Sequence, residues 1–89
     1  MVKIKAAVCH KFGAPLQIET INLREPLTGE VEVTLGAVAV CHSDISFAAG
    51  DWGGELPAVY GHEAAGFVSK TGSAVKGFEI GDRVVVTLI

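Results

Sequence analysis

An all-β sandwich or barrel is the fold class this sequence predicts, and three observations carry it. Short runs of alternating apolar and polar residues recur along the chain, glycine punctuates them at 11 of 89 positions, and only one stretch has room for a turn or two of helix. With 49% hydrophobic and 19% charged residues the composition is globular. A chain of this length suits one domain, burying roughly 60 to 65% of its unfolded surface.

The elements follow in order. In Val2 to Cys9, Val2, Ile4, Ala6 and Val8 fall on one face and Lys3 and Lys5 on the other, the period of a half-buried strand. Gly13 and Pro15 mark a turn, and Leu16 to Ile21, "LQIETI", alternates as a short second strand. Pro26 and Gly29 bracket a loop that leads into the longest strand signal, "EVEVTLGAVAV". There Val31, Val33, Leu35, Ala37 and Ala39 share a face, and Val38 and Val40 make the end apolar on both sides, which predicts a strand that finishes fully buried. His42 to Ala49 suits the short helix, with Ser43 or Asp44 as its cap and Gly50 closing it. "GDWGGELP" reads as loop; "EAAGFVSKTG" and "DRVVVTLI" read as strands, with turns at Gly77 and Gly81 between them.

The same numbers exclude several functions. A net charge of −3 with seven scattered Lys and Arg leaves no basic face for nucleic acid or anionic lipid. No apolar run approaches the roughly 18 residues of a membrane span, and "MVKIKAAVCHKF" lacks the apolar core of a signal peptide, so the expected location is the cytoplasm. Two cysteines, Cys9 and Cys41, are too few for a disulfide scaffold and read as thiols. There is no internal repeat, and the last residues, "VVVTLI", stop inside an apolar strand, which predicts that the chain is part of something longer.

Chemistry concentrates in "VAVCHSDISF" and "GHEAAG". Cys41 and His62 pair a thiol with an imidazole, the preferred donors of zinc, whose catalytic sites take about three protein ligands and a water. Spacing alone also fits a buried structural cysteine near an ordinary loop histidine. Asp44 suits a carboxylate that accepts the second ring proton of a metal-bound histidine, or a helix cap. Glu63 is an alternative ligand or a solvated loop carboxylate, and Ser43 a proton acceptor or a capping hydroxyl. His10 reads as a surface histidine without partners, and Cys9 as a small core residue. Neither "GDWGG" nor "GHEAAG" matches the dinucleotide fingerprint G-x-G-x-x-G.

Read together, "AVCHSD", "GHEAAGFV" and "GDRVVV" resemble the zinc-dependent medium-chain alcohol dehydrogenase family, in its N-terminal GroES-like catalytic domain. The blocks occur in the family order across essentially the whole chain, with Cys41 and His62 separated by 21 positions. The resemblance implies a partly open β-barrel with one or two short helical turns, residues 1–89 forming an incomplete catalytic domain. It implies Cys41 and His62 as ligands of a catalytic zinc, and Ser43 as the hydroxyl that takes the substrate proton. Asp44 becomes the carboxylate that orients the histidine ligand, and Glu63 a glutamate that approaches the zinc during ligand exchange. His42 falls where the family meets the cofactor pyrophosphate, and Trp52 and Leu88 where it lines the substrate pocket.

The implied reaction moves hydride between a small alcohol or aldehyde and NAD or NADP, in a parent protein that is a homo-oligomer. Where some members end a proton relay with histidine, this chain has Ser46. The third zinc ligand, the Rossmann cofactor domain and any structural zinc lobe are expected beyond residue 89, so these 89 residues alone are expected to be inactive. Two other readings compete: a noncatalytic GroES-like module, and a reductase of the same superfamily that has dropped the metal. Retention of both Cys41 and His62 argues against the last.

Overall fold

A computed structural model describes residues 1–87; Leu88, assigned above to a substrate pocket, lies outside the described residues. Five strands and one helix occur among them, in the order β1 (Val2–Val8), β2 (Gln17–Leu23), β3 (Val31–Val38), α1 (His42–Ala49), β4 (Ala64–Thr71) and β5 (Arg83–Val86). The class is all-β, as the alternation predicts. The strands form a two-stranded sheet, β1-β2, and a three-stranded sheet, β3-β4-β5, both open rather than closed into a barrel. Among the described residues no helix is long and apolar enough to cross a membrane. The chain divides into two compact units, one of residues 1–23 and 40–61, the other of residues 24–39 and the described residues from His62 onward.

In the first unit β1 and β2 pair antiparallel, with Ile4 opposite Ile21 and Ala6 opposite Glu19. This register corrects the reading of "LQIETI". Ile18 and Ile21 lie three residues apart and cannot share a face of a strand. The Val2, Ile4, Ala6, Val8 face of β1 selects Ile21, and Ile18, opposite Ala7 on the lysine face, is 72% exposed. His10 is exposed, but it has a partner in the Glu19 carboxylate. Cys9 is almost fully buried, as expected of a core thiol, and exchanges both backbone hydrogen bonds with Ala58, at 2.8 and 3.0 Å.

The helix α1 belongs to this unit. Eight residues are too few to hold a helix in isolation, which needs roughly 12 to 15, so its ends and neighbours must hold it. The Gly13 N–H donates to the Ala48 carbonyl at 2.9 Å. Gly50 closes the helix in the left-handed region at φ 88°, its N–H donating to Phe47 and that of Asp51 to Ser46. A Cβ at Gly50 would lie 2.8 Å from the Phe12 side chain, so both conformation and space require glycine there.

The second unit is built on antiparallel β3-β4 and β4-β5 ladders. Val68 is its fully buried centre, worth about 1.5 to 3 kcal/mol as a buried valine. Both of its backbone groups are bonded, the N–H donating to Asp82 at 2.9 Å and the carbonyl accepting from Gly81 at 2.8 Å. The β3-β4 register shifts twice: Ser69 of β4 is passed over between the Glu32 and Val33 pairs, and Gly36 of β3 between the Leu35 and Ala37 pairs. The prediction that β3 ends fully buried is overturned: Leu35, Val38 and Val40 are 51%, 56% and 77% exposed. An apolar run shows what a strand can bury, whereas burial needs a covering layer, and three strands alone supply none.

Charged groups fix the margins of this unit. Ser69 Oγ donates to Glu32 Oε1 at 2.7 Å, and Lys70 Nζ donates to both oxygens of Glu25 at 3.0 Å. Arg24 grips Glu30 through two hydrogen bonds, at 2.6 and 3.1 Å, and the Leu27 N–H donates to the same carboxylate at 2.9 Å. Together, Arg24 first, they hold the Glu30 carboxyl down at about 2, from an ordinary 4.5.

Two outcomes follow. Because the folded value is depressed, the stabilisation from Glu30 is complete above pH 4.5 and is lost as pH falls through about 2; a carboxyl-carbon NMR titration should place its midpoint there. In β4, a Cβ at Gly66 would run into the Thr34 carbonyl, with the Leu35 Cα only 3.0 Å away, whereas one at Gly36 would meet nothing closer than 3.7 Å. Gly66→Ala should therefore cost about 1 to 3 kcal/mol, read as a lowered urea midpoint, and Gly36→Ala should leave the midpoint nearly unchanged.

Candidate functional site

The first part of the site is the N-terminus of α1. Cys41 is the N-cap, in extended conformation at φ −97° and ψ 153°, so His42, Ser43 and Asp44 occupy the first three helical positions. Asp44 Oδ2 accepts the Cys41 backbone N–H at 3.1 Å, and the Asp44 N–H donates to the Cys41 carbonyl at 3.0 Å. This corrects the capping assignment. Neither Ser43 nor Asp44 is the N-cap; Asp44 reaches back from the third position, where its charge also complements the helix dipole. Cys41, Ser43 and Asp44 are half-buried and His42 is exposed. Both cysteines are free thiols, as expected.

The second part lies at the start of β4. The Ala39 N–H donates to the Glu63 carbonyl at 2.9 Å, one rung past the Val38–Ala64 pair that ends the ladder. His62, half-buried, directly precedes that rung, and Cys41 follows Ala39 by two residues. Glu63 itself is exposed. Thiol, imidazole and carboxylate are thus carried on the chain segments that leave one end of one ladder, and as donor types they suit zinc.

Trp52 lies in the loop after α1 and is 59% exposed, with its ring edge-on to Phe47 at 4.6 Å between centroids. Phe47 in turn stacks on Tyr60 at 5.6 Å and 15° between planes. Sequence reading singled out neither Phe47 nor Tyr60. The available signals are slight: Phe47 stands one turn before the closing glycine, and Tyr60 two residues before His62. Burial, and secondarily the Cys9 thiol, raise the Tyr60 phenol above its ordinary value. Ser46 is buried, with its carbonyl capping the helix end.

Comparison with known proteins bears on what such an arrangement is for. The model of the alcohol dehydrogenase GroES-like domain family matches residues 27–89. An alcohol dehydrogenase of Moraxella sp. (strain TAE123) is 41% identical over 85 residues, covering 93% of this chain and 25% of that protein. Among solved structures, an alcohol dehydrogenase zinc-binding domain protein from Burkholderia ambifaria superposes with a TM-score of 0.91 at 40% identity, covering 93% of this chain and 22% of that one. A quinone oxidoreductase from Escherichia coli, solved in complex with NADPH, gives 0.88 at 35% identity, covering 92% and 26%. The chain spans about a quarter of the length of the curated relatives it matches.

The Asp44 cap yields a direct test. Asp44→Ala removes the acceptor of the Cys41 N–H and should cost about 0.5 to 2 kcal/mol, whereas Asp44→Asn keeps an acceptor oxygen and should cost less. Urea unfolding followed by circular dichroism measures both.

Proposed function

The chain belongs to the alcohol dehydrogenase GroES-like domain family, and from that premise we propose that residues 1–89 are the N-terminal catalytic-domain portion of a zinc-dependent alcohol dehydrogenase. The parent enzyme transfers hydride between a small alcohol or aldehyde and NAD or NADP. The observation that carries this reading is the Ala39–Glu63 rung, since it fixes the strand ends from which Cys41 and His62 depart. A reductase without metal has no use for a thiol and an imidazole at those two positions. The same holds for a purely structural module.

The donor chemistry fits the metal. Cys41 and His62 would hold it, two half-buried soft and borderline ligands, with Glu63 an adjacent carboxylate. Zinc bound there supplies the Lewis acidity that lowers the pKa of an alcohol hydroxyl. The chain's own residues do the rest. Ser43, half-buried at the second helical position, relays the hydroxyl proton, its Oγ accepting it as the serine's own hydroxyl proton passes on to water. Asp44, fixed by its bond to the Cys41 N–H, orients the histidine ligand. Exposed His42, at the first helical position, meets the cofactor pyrophosphate beside the partial positive charge of the helix N-terminus. Trp52 walls the pocket and keeps water from the reacting oxygen, a role the family resemblance also gives Leu88.

By itself the 89-residue chain carries two thiol or imidazole candidates and no dinucleotide fingerprint, so it is proposed to be inactive alone. The cofactor domain and a third ligand belong to the parent protein, a cytoplasmic homo-oligomer.

Metal analysis tests the reading. The protein purified with zinc should hold close to one ion per chain. Cys41→Ser or His62→Ala should lose it while the circular dichroism spectrum stays that of a folded protein. A folded wild-type domain that binds no zinc would favour the noncatalytic module instead, and alcohol oxidation by the 9.3 kDa chain would overturn its proposed inactivity.

A further inference from the structure

The first unit holds an aromatic cluster that the assigned roles leave unused. The 89 residues contain one tryptophan and one tyrosine, and both rings contact the same phenylalanine. Phe47 meets Trp52 edge to face at 4.6 Å and 82°, and stacks on Tyr60 at 5.6 Å and 15°. Edge-to-face and offset-stacked pairs are the two favoured aromatic geometries.

Trp52 needs such a support. Its loop follows Gly50 and precedes Gly53 and Gly54, all at positive φ (88°, 69° and 114°), and its side chain is 59% exposed. A backbone punctuated so densely by glycine has wide conformational freedom, and no hydrogen bond of the indole is seen among the described residues. The Phe47 ring, on the last turn of α1, is what gives the indole a fixed direction. Phe47 is itself steadied from the other side. Tyr60 lies two residues after Ala58, which exchanges both backbone hydrogen bonds with almost fully buried Cys9. Support thus runs from the core at Cys9 through Tyr60 and Phe47 to Trp52.

We infer that Phe47, backed by the Tyr60 ring, is a specificity-determining positioning residue. It fixes the orientation of Trp52, and so keeps one wall of the alcohol pocket rigid and narrow, favouring short alcohols over bulky ones. The selectivity half of this inference rests on the proposed role of Trp52 in the pocket; the positioning half stands on the ring geometry alone.

The two halves are separable because Trp52 is the chain's own fluorophore. In the 89-residue chain, Phe47→Leu should raise the acrylamide quenching constant of Trp52 at least twofold. Phe47→Tyr, which keeps the ring, should leave it near wild type. Tyr60→Leu should raise it by less than Phe47→Leu, and it keeps the test open should Phe47→Leu unfold by circular dichroism. In the enzyme that contains this chain, Phe47→Leu should lower the ratio of kcat/KM for ethanol over benzyl alcohol at least fivefold, in the same direction as Trp52→Ala. Unchanged quenching in the folded Leu variants overturns the positioning role. Raised quenching with a ratio that moves in Trp52→Ala but not in Phe47→Leu overturns the specificity role. A ratio unmoved even by Trp52→Ala overturns instead the pocket assignment of Trp52, and the quenching result then stands by itself.

Discussion

The candidate site depends on one hydrogen bond, from the Ala39 N–H to the Glu63 carbonyl at 2.9 Å. On its own such a bond contributes only about 0.5 to 1.5 kcal/mol. Its importance is positional, because it ends the β3-β4 ladder and fixes where two chain segments leave it. A slip of one residue in that ladder would exchange the faces of His62 and Glu63, since side chains alternate across a strand. The register is therefore held elsewhere. Val68, fully buried and paired with Val33, also donates to the Asp82 carbonyl and accepts from the Gly81 N–H. Gly66 lets the Thr34 carbonyl approach closer than any side chain would allow. The two irregularities offset each other, since Ser69 is an extra residue on β4 and Gly36 an extra residue on β3, and the pairs of Ala37 with Ala65 and Val38 with Ala64 follow in step.

Much of this was legible in the sequence, and the exceptions share a cause. Alternation located β1, β2 and β3, apolar runs flanked by glycine turns located β4 and β5, the positive-φ glycines at 77 and 81 were read as turns, and the three motif blocks pointed to the family the comparisons support. What periodicity could not supply was the partner. Whether Ile18 or Ile21 faces inward is settled by β1 across the hairpin, not by β2. Likewise the apolar end of β3 is exposed because burial is a property of layers, which a single strand does not encode. His10 appeared solitary because Glu19 is nine residues away and becomes a neighbour only through the hairpin register. The aromatic contacts of Phe47 were invisible for the same reason. Spacings of five and thirteen residues from Phe47 match neither the helical nor the strand period.

Asp44 shows why a structural and a functional reading of one residue need not compete. The sequence left it as either a helix cap or the carboxylate behind a histidine ligand. It is not the N-cap itself but the third-position arm of a capping box, through Oδ2 to the Cys41 N–H. A carboxylate has two oxygens and about four lone-pair sites, so this bond leaves the second role chemically open. It also serves that role, since an orienting group works only if it is itself held in place. The capping bond fixes Asp44 and, in the same contact, the backbone of the proposed ligand Cys41.

The helix also divides the four reactive side chains that the sequence sets in a row. Consecutive positions on a helix point about 100° apart and do not face one another, whereas residues three apart are neighbours. Cys41 and Asp44 are three apart and bonded; His42 and Ser43 turn away from that line and from each other, one exposed and one half-buried. A strand through the same residues would have set Cys41 and Ser43 on one face and His42 and Asp44 on the other, separating the carboxylate from the thiol. Only the helical turn that begins at Cys41 lets a contiguous "CHSD" set the proposed metal ligand beside the carboxylate proposed to support the site. It also directs Ser43 and His42, the proposed proton relay and pyrophosphate contact, elsewhere. The short helix, too brief to persist without its caps, is in this sense the part of the all-β fold on which the proposed chemistry turns.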